Sequence, residues 1–137
     1  TICAVRVSDG TILWNITRPA EADPDSNQFA IPLVHSQIDQ TFVVQWGTAT
    51  IAKYSYSNGA EQWTYQLTLS NPQSSAPVPV IDSSGNIFAI SEEGHFVGLD
   101  KNGNELWTGS NSEFYYSNVS PVMMNDDYCF LTDGYIG

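Results

Sequence analysis

A short signature recurs three times along this chain, and its spacing limits the folds open to it. It reads Asp9-Gly10-Thr11-Ile12-Leu13-Trp14, then Asn58-Gly59-Ala60-Glu61-Gln62-Trp63, then Asn102-Gly103-Asn104-Glu105-Leu106-Trp107. In each copy the Trp stands four residues after the Gly, and the tryptophans are 49 and 44 residues apart. The opening of the unit recurs as well, at Ile31-Pro32-Leu33-Val34, Pro77-Val78 and Ser120-Pro121-Val122-Met123. Residues 77–108 show what one unit contains. Val78–Ile81, Ile87–Ser91, His95–Asp100 and Glu105–Thr108 read as four short strands, rich in branched and aromatic residues. Between them, Asp82-Ser83-Ser84-Gly85-Asn86, Glu92-Glu93-Gly94 and Lys101-Asn102-Gly103-Asn104 supply the Gly, Asn and Asp that tight hairpin turns require. A four-strand unit repeating at about 40–50 residues is the sequence sign of a β-propeller blade. Such a small sheet cannot bury both faces alone, so blades stack radially.

The fold expected is therefore all-β, a propeller of four-stranded antiparallel blades. Residues 1–17 form the end of one blade, 31–67 a second, 77–109 a third and 120–137 the start of a fourth, all in one domain. The chain has 137 residues and three periods, against about four to eight blades in a closed propeller. It begins inside a third strand, at Thr1–Val7, and stops as another opens, at Gly134-Tyr135-Ile136-Gly137. That phase is read as a piece of a larger, incomplete ring; the alternative is a three-blade protomer that closes a ring with a copy of itself. Either leaves strand edges and apolar faces that invite pairing with protein.

The repeat resembles that of the quinoprotein-like, or PQQ-like, propellers. Their pattern runs from Gly through apolar residues to Asp, then Gly, an apolar residue and Trp. Ile2, Cys3, Ala4, Val5, Gly10, Leu13 and Trp14 fit it, with Arg6 where Asp is usual. Phe96, Gly98, Leu99, Asp100, Gly103, Leu106 and Trp107 fit it again. The middle copy departs at Lys53, Ser55 and Tyr56, and Gln62 replaces the apolar residue. The resemblance implies the fold and says little of function, because such repeats serve both dehydrogenases and non-catalytic scaffolds. It further implies that an enzyme of the family would hold its quinone between a tryptophan and a vicinal disulfide, with calcium and an aspartate base. This sequence has no adjacent cysteine pair.

Chemistry is sparse elsewhere too. The two histidines, His35 and His95, fall in different blades, and two histidines without a nearby Cys pair make a poor zinc site. Asp100-Lys101-Asn102-Gly103-Asn104-Glu105 carries oxygen side chains around a Gly, as part of a calcium loop does, but lacks the twelve-residue pattern. The hairpin reading is preferred there and at Asp82–Asn86. No catalytic, cofactor or metal residue is assigned, and no cofactor is expected.

Fifteen acidic residues against four basic ones give a net charge of −11. This disfavours nucleic acid, whose binding needs Lys and Arg, and anionic membrane surfaces alike. No apolar run approaches the ~20 residues of a membrane helix. Two sequons, Asn15-Ile16-Thr17 and Asn118-Val119-Ser120, are candidate glycosylation sites. Asn15 follows the Trp on an outer strand and Asn118 lies in a loop, which suits an extracellular or secretory location. Cys3 and Cys129 are expected to be buried free thiols.

Partner contacts are sought among aromatics outside the repeat. Phe114-Tyr115-Tyr116 sits on the linker 109–118, and Trp46 is additional to Trp14, Trp63 and Trp107. These four residues suit a partner protein or a glycan; the rival reading packs them between blades, and for Trp46 the core is preferred. The structural tryptophans are expected between blades, each covering the next sheet. Truncating a buried Trp costs ~3–5 kcal/mol of the ~5–15 kcal/mol a domain has, so Trp107→Ala should destabilise far more than His95→Ala. The leading functional expectation is a non-catalytic extracellular scaffold or protein-interaction module. A fragment of a quinoprotein-type oxidoreductase and a carbohydrate-binding propeller are the alternatives.

Overall fold

A computed structural model of the chain describes residues 1–18, 33–36, 38–47, 49–68, 78–91, 94–111, 121–125 and 128–130, and of these gives the backbone alone for 33–35, 122–125 and 128–130. The described residues form twelve strands and no helix. Strands β1 (Ile2–Val5) and β2 (Ile12–Ile16) make a two-stranded sheet. β3 (Leu33–Ser36), β4 (Thr41–Trp46), β5 (Thr50–Ser55) and β6 (Glu61–Gln66) make a four-stranded antiparallel sheet in chain order. β7 (Val80–Ile81), β8 (Ile87–Ile90), β9 (His95–Leu99) and β10 (Glu105–Ser110) make a second. β11 (Val122–Asn125) and β12 (Tyr128–Phe130) pair as the last sheet. Along the chain the sheets thus have two, four, four and two strands. The opening strands touch in succession, β3 against β7 and β7 against β11, which places them on the inner side of the arc.

The middle blade shows why blades must stack. Residues of β4 are buried at all six positions, and β5 is buried at five of six. A strand with one wet face would alternate; continuous burial means both faces are covered. On one side Phe42, Val44, Trp46, Ala52 and Tyr54 pack with Ile16, Ile2 and Trp14 of the first blade. On the other, Val43 and Ile51 pack with Ile87, Ala89, Val97 and Leu99 of the third. A side-chain tie crosses the same gap, where Gln45 Nε2 donates to the Ile90 carbonyl at 3.1 Å.

The two halves of the Gly-to-Trp signature turn out to belong to different contacts. Each Trp faces its own third strand, Trp14 opposite Ala4, Trp63 opposite Lys53 and Trp107 opposite Gly98. In all three sheets the register slips at the residue before the Trp, so Leu13, Gln62 and Leu106 are extra residues in a β-bulge. All three bulged side chains are exposed. An outward position makes no demand for an apolar residue, which is why Gln62 is accommodated there.

Two expectations are corrected. Cys3 is an exposed free thiol, because Ile2 and Ala4 take the inward positions of β1 and leave Cys3 on the other face. It should react rapidly with a maleimide in the folded protein; labelling only after denaturant would place it inside. Trp46 is 1% exposed, packs edge-on against Tyr54 and donates its Nε1–H to the Tyr54 hydroxyl at 3.0 Å. It fills the core between blades and is out of reach of a partner or glycan.

Candidate functional site

The contact between neighbouring blades is built the same way twice. Trp14 Nε1 donates to the carbonyl of Tyr56, in the turn of the second blade, at 2.8 Å. Trp63 Nε1 donates to the carbonyl of Lys101, in the turn of the third blade, at 3.1 Å. Both acceptors stand at the same place in their turns, one residue after the carbonyl that receives the turn glycine's N–H (Ser55 from Gly59, Asp100 from Gly103). The glycines themselves are needed twice over. Gly59 and Gly103 have φ of 70° and 85°, which side-chain-bearing residues rarely adopt. A Cβ at Gly59 would lie 2.8 Å from the Trp14 ring, and one at Gly103 would lie 2.7 Å from the Trp63 ring. So the Trp of one blade lies on the turn glycine of the next.

A buried charge reinforces the second of these contacts. Lys53 is 2% exposed, yet its Nζ reaches Asp39 Oδ2 at 2.5 Å and the Lys101 carbonyl at 2.8 Å. That carbonyl therefore accepts from both Trp63 and Lys53. Partial burial pushes the Asp39 carboxyl upward, but hydrogen bonds from Lys53 and Thr41 and the Lys53 charge outweigh it and hold the group at about 2. The Lys53 departure from the repeat is thus a cross-blade tie.

Between the rims of the second and third blades runs a groove of about 380 Å³, lined by Tyr65, Leu67, Thr68, His95, Phe96 and Glu105, with Thr108 and Gly109 at one side. Tyr65 donates its hydroxyl proton to Glu105 Oε2 at 2.7 Å. Burial, then the Glu105 bond and charge, push the Tyr65 hydroxyl up to about 12. It stays protonated at neutral pH and fixes the carboxylate toward the groove. The arrangement offers an acceptor with negative charge beside aromatic surface, a combination that receives a cation.

The turn carboxylates are employed otherwise. Asp100 Oδ1 accepts from the Asn102 and Asn104 amides and Oδ2 from Asn104 Nδ2. Asp82 accepts in the same way from Ser84 and Asn86. Both are hairpin caps, as the hairpin reading expects. Among the described residues no cluster of three His, Cys, Asp or Glu is placed to hold a metal.

Of the other candidates, Asn15 is exposed on β2. Asn118, Phe114, Tyr115 and Tyr116 lie outside the described residues, and His35 and Cys129 are described in backbone only. Trp14 and Trp63 are half-buried between blades, whereas Trp107 is 46% exposed and packs on Phe88 and Phe96 of its own blade. Its covering of a following sheet is not seen among the described residues. Sequence reasoning missed Asp39, Lys53, Tyr65 and Glu105. Lys53 alone left a signal, as a lysine inside an apolar strand.

Radial sheets of this topology, joined by an indole on a turn glycine, define a β-propeller of PQQ-like repeats. A family model described as the outer membrane protein assembly factor BamB matches residues 1–134, and the chain belongs to that family. Among solved structures, BamB from Moraxella catarrhalis is similar in fold, with a TM-score of 0.59 and 18% identity. The match covers 85% of this chain and 32% of that one, so this chain spans about a third of its length. No curated protein matches.

Proposed function

We propose that this chain is part of a non-catalytic, protein-binding propeller scaffold that works outside the cytoplasm, as an assembly module does. Its inter-blade groove takes a basic side chain from a protein partner. The observation that carries this is the Glu105 carboxylate, held by the Tyr65 hydroxyl at an open groove. The net charge of −11 favours basic partners. The name of the family, an assembly factor, supports the same reading. Phe114, Tyr115 and Tyr116 supply further contacts. Exposure of Asn15 supports a compartment in which sequons are glycosylated.

A photo-crosslinking residue at Thr108, in cells of the source organism, should trap protein partners, and Glu105→Gln should reduce the yield severalfold. Absence of adducts, or dye reduction that appears on adding pyrroloquinoline quinone and calcium, would overturn the proposal, the latter in favour of the oxidoreductase.

A further inference from the structure

The groove between the second and third blades lies between the two four-stranded sheets, and the register of β9 and β10 fixes what stands along it. Val97 and Leu99 face the second blade, where they pack with Val43 and Ile51. By alternation along β9, His95 faces the same way. Glu105 pairs with Leu99, Thr108 with Val97 and Ser110 with His95, so Glu105 and Thr108 share that face. In a regular strand two residues three apart point to opposite sides. The extra residue Leu106 brings Glu105 and Thr108 back onto one side. The bulge before Trp107 thus builds a wall of the groove.

Glu105, Thr108 and His95 stand in a row on that wall, and all three line the groove. Strand rise puts Thr108 about 7 Å from the Glu105 level and His95 about 13 Å from it. The facing wall is Tyr65, Leu67 and Thr68, from β6 and the residues after it. Tyr65 bonds Glu105 and marks one end. Leu67, 8% exposed, gives the middle an apolar surface. His95 marks the other end, and an imidazole offers hydrogen-bonding nitrogens there. Among the described residues that line the groove there is no Lys or Arg to answer the Glu105 charge. The volume of about 380 Å³ falls within the ~300–1,000 Å³ of ligand sites.

The spacing of the row is that of an extended peptide, in which side chains on one face recur about every 7 Å. We propose that the groove takes five residues of the partner in extended form, and reads the first, third and fifth, counted from the Glu105 end. The first is basic and meets Glu105. The third is apolar and lies on Leu67 beside Thr108. The fifth is Asn or Gln, whose amide both donates and accepts, as suits an imidazole. The second and fourth point away and are unrestricted. This rests on the groove reading above and adds the sequence the partner presents.

The test is isothermal titration of the purified protein with end-blocked peptides. Lys-Ser-Val-Ser-Asn and its reverse, Asn-Ser-Val-Ser-Lys, cover the two chain directions. The tighter of them should bind severalfold better than the isomer in which Asn and the neighbouring Ser change places, because that swap turns the amide away from His95. Replacing Lys by Ala should cost about tenfold, as loss of a hydrogen bond to a charged group does. Glu105→Gln should abolish the advantage of Lys over Ala, and His95→Ala the advantage of Asn over the swapped isomer, each leaving the other intact. The peptide comparisons use the unaltered protein, so they stand whatever the variants do to folding. Equal affinity for the isomers, with binding still dependent on Lys and on Glu105, would overturn this proposal and leave the basic groove standing. Binding indifferent to both Lys and Glu105, or no binding at all, would overturn this proposal, and partner adducts at Thr108 that are equally indifferent to Glu105→Gln would remove the groove reading as well.

Discussion

Gly103→Ala should destabilise the chain far more than Gly10→Ala. Both glycines have positive φ, 85° and 74°, so both alanines carry the strain of a left-handed conformation. That strain is about 1–2 kcal/mol. Among the described residues, only at position 103 does the new methyl group meet something, the Trp63 ring at 2.7 Å. Relieving the clash lifts the indole from the turn, lengthens its bond to the Lys101 carbonyl and opens the seam lined by Val43, Ile51, Val97 and Leu99. Adding the ~1–3 kcal/mol of overpacking brings the expected loss to about 2–5 kcal/mol, against ~1–2 at Gly10. Denaturant midpoints of the two variants measure the difference. Equal losses would mean that the indole contributes nothing to holding the blades together.

Removing the lysine that spans the same seam should have the second largest effect. Lys53→Met keeps the length and apolar stem of the side chain but leaves Asp39 without its cation. Breaking a buried pair typically costs ~3–5 kcal/mol. The Asp39 side chain is 31% exposed and keeps its Thr41 bond, so a loss of about 2–4 kcal/mol is expected here. The double variant Lys53→Met, Asp39→Asn should recover most of it. Acid dependence provides an independent check. The Asp39 carboxyl sits below its usual 3.8, at about 2, so its contribution is complete above pH ~4 and is lost as pH falls through ~2. In Lys53→Met the depression shrinks, and that part of the acid loss between pH 4 and 2 should shrink with it. A wild-type protein and a Lys53→Met variant with the same pH profile between 2 and 4 would show the pair to be inert.

Most of the architecture could be read from the spacing of glycine and tryptophan, because a turn glycine and an indole are chemically specific and a radial stack repeats them. The strands at Thr41–Trp46 and Ile87–Ile90 were legible for the same reason: runs of branched and aromatic residues between turn signals. What escaped depended on contacts distant in sequence. Lys53 meets Asp39, 14 positions away, and Lys101, 48 away, and nothing local foretells either. Tyr65 and Glu105 are 40 apart. The bulge before each Trp was invisible because an extra residue in a strand leaves the alternation locally ambiguous. Cys3 was misplaced because the alternation of β1 puts Ile2 and Ala4, not Cys3, on the face toward the second blade.

The seat for Trp14 and for Trp63 is a main-chain carbonyl near a turn glycine, and the side chain at that place is Tyr56 in one and Lys101 in the other. A main-chain acceptor cannot tell one blade from another. Units of this kind are therefore exchangeable: copying, deleting or shuffling a period leaves each new junction with a working joint. Order along the ring is imposed by chain connectivity.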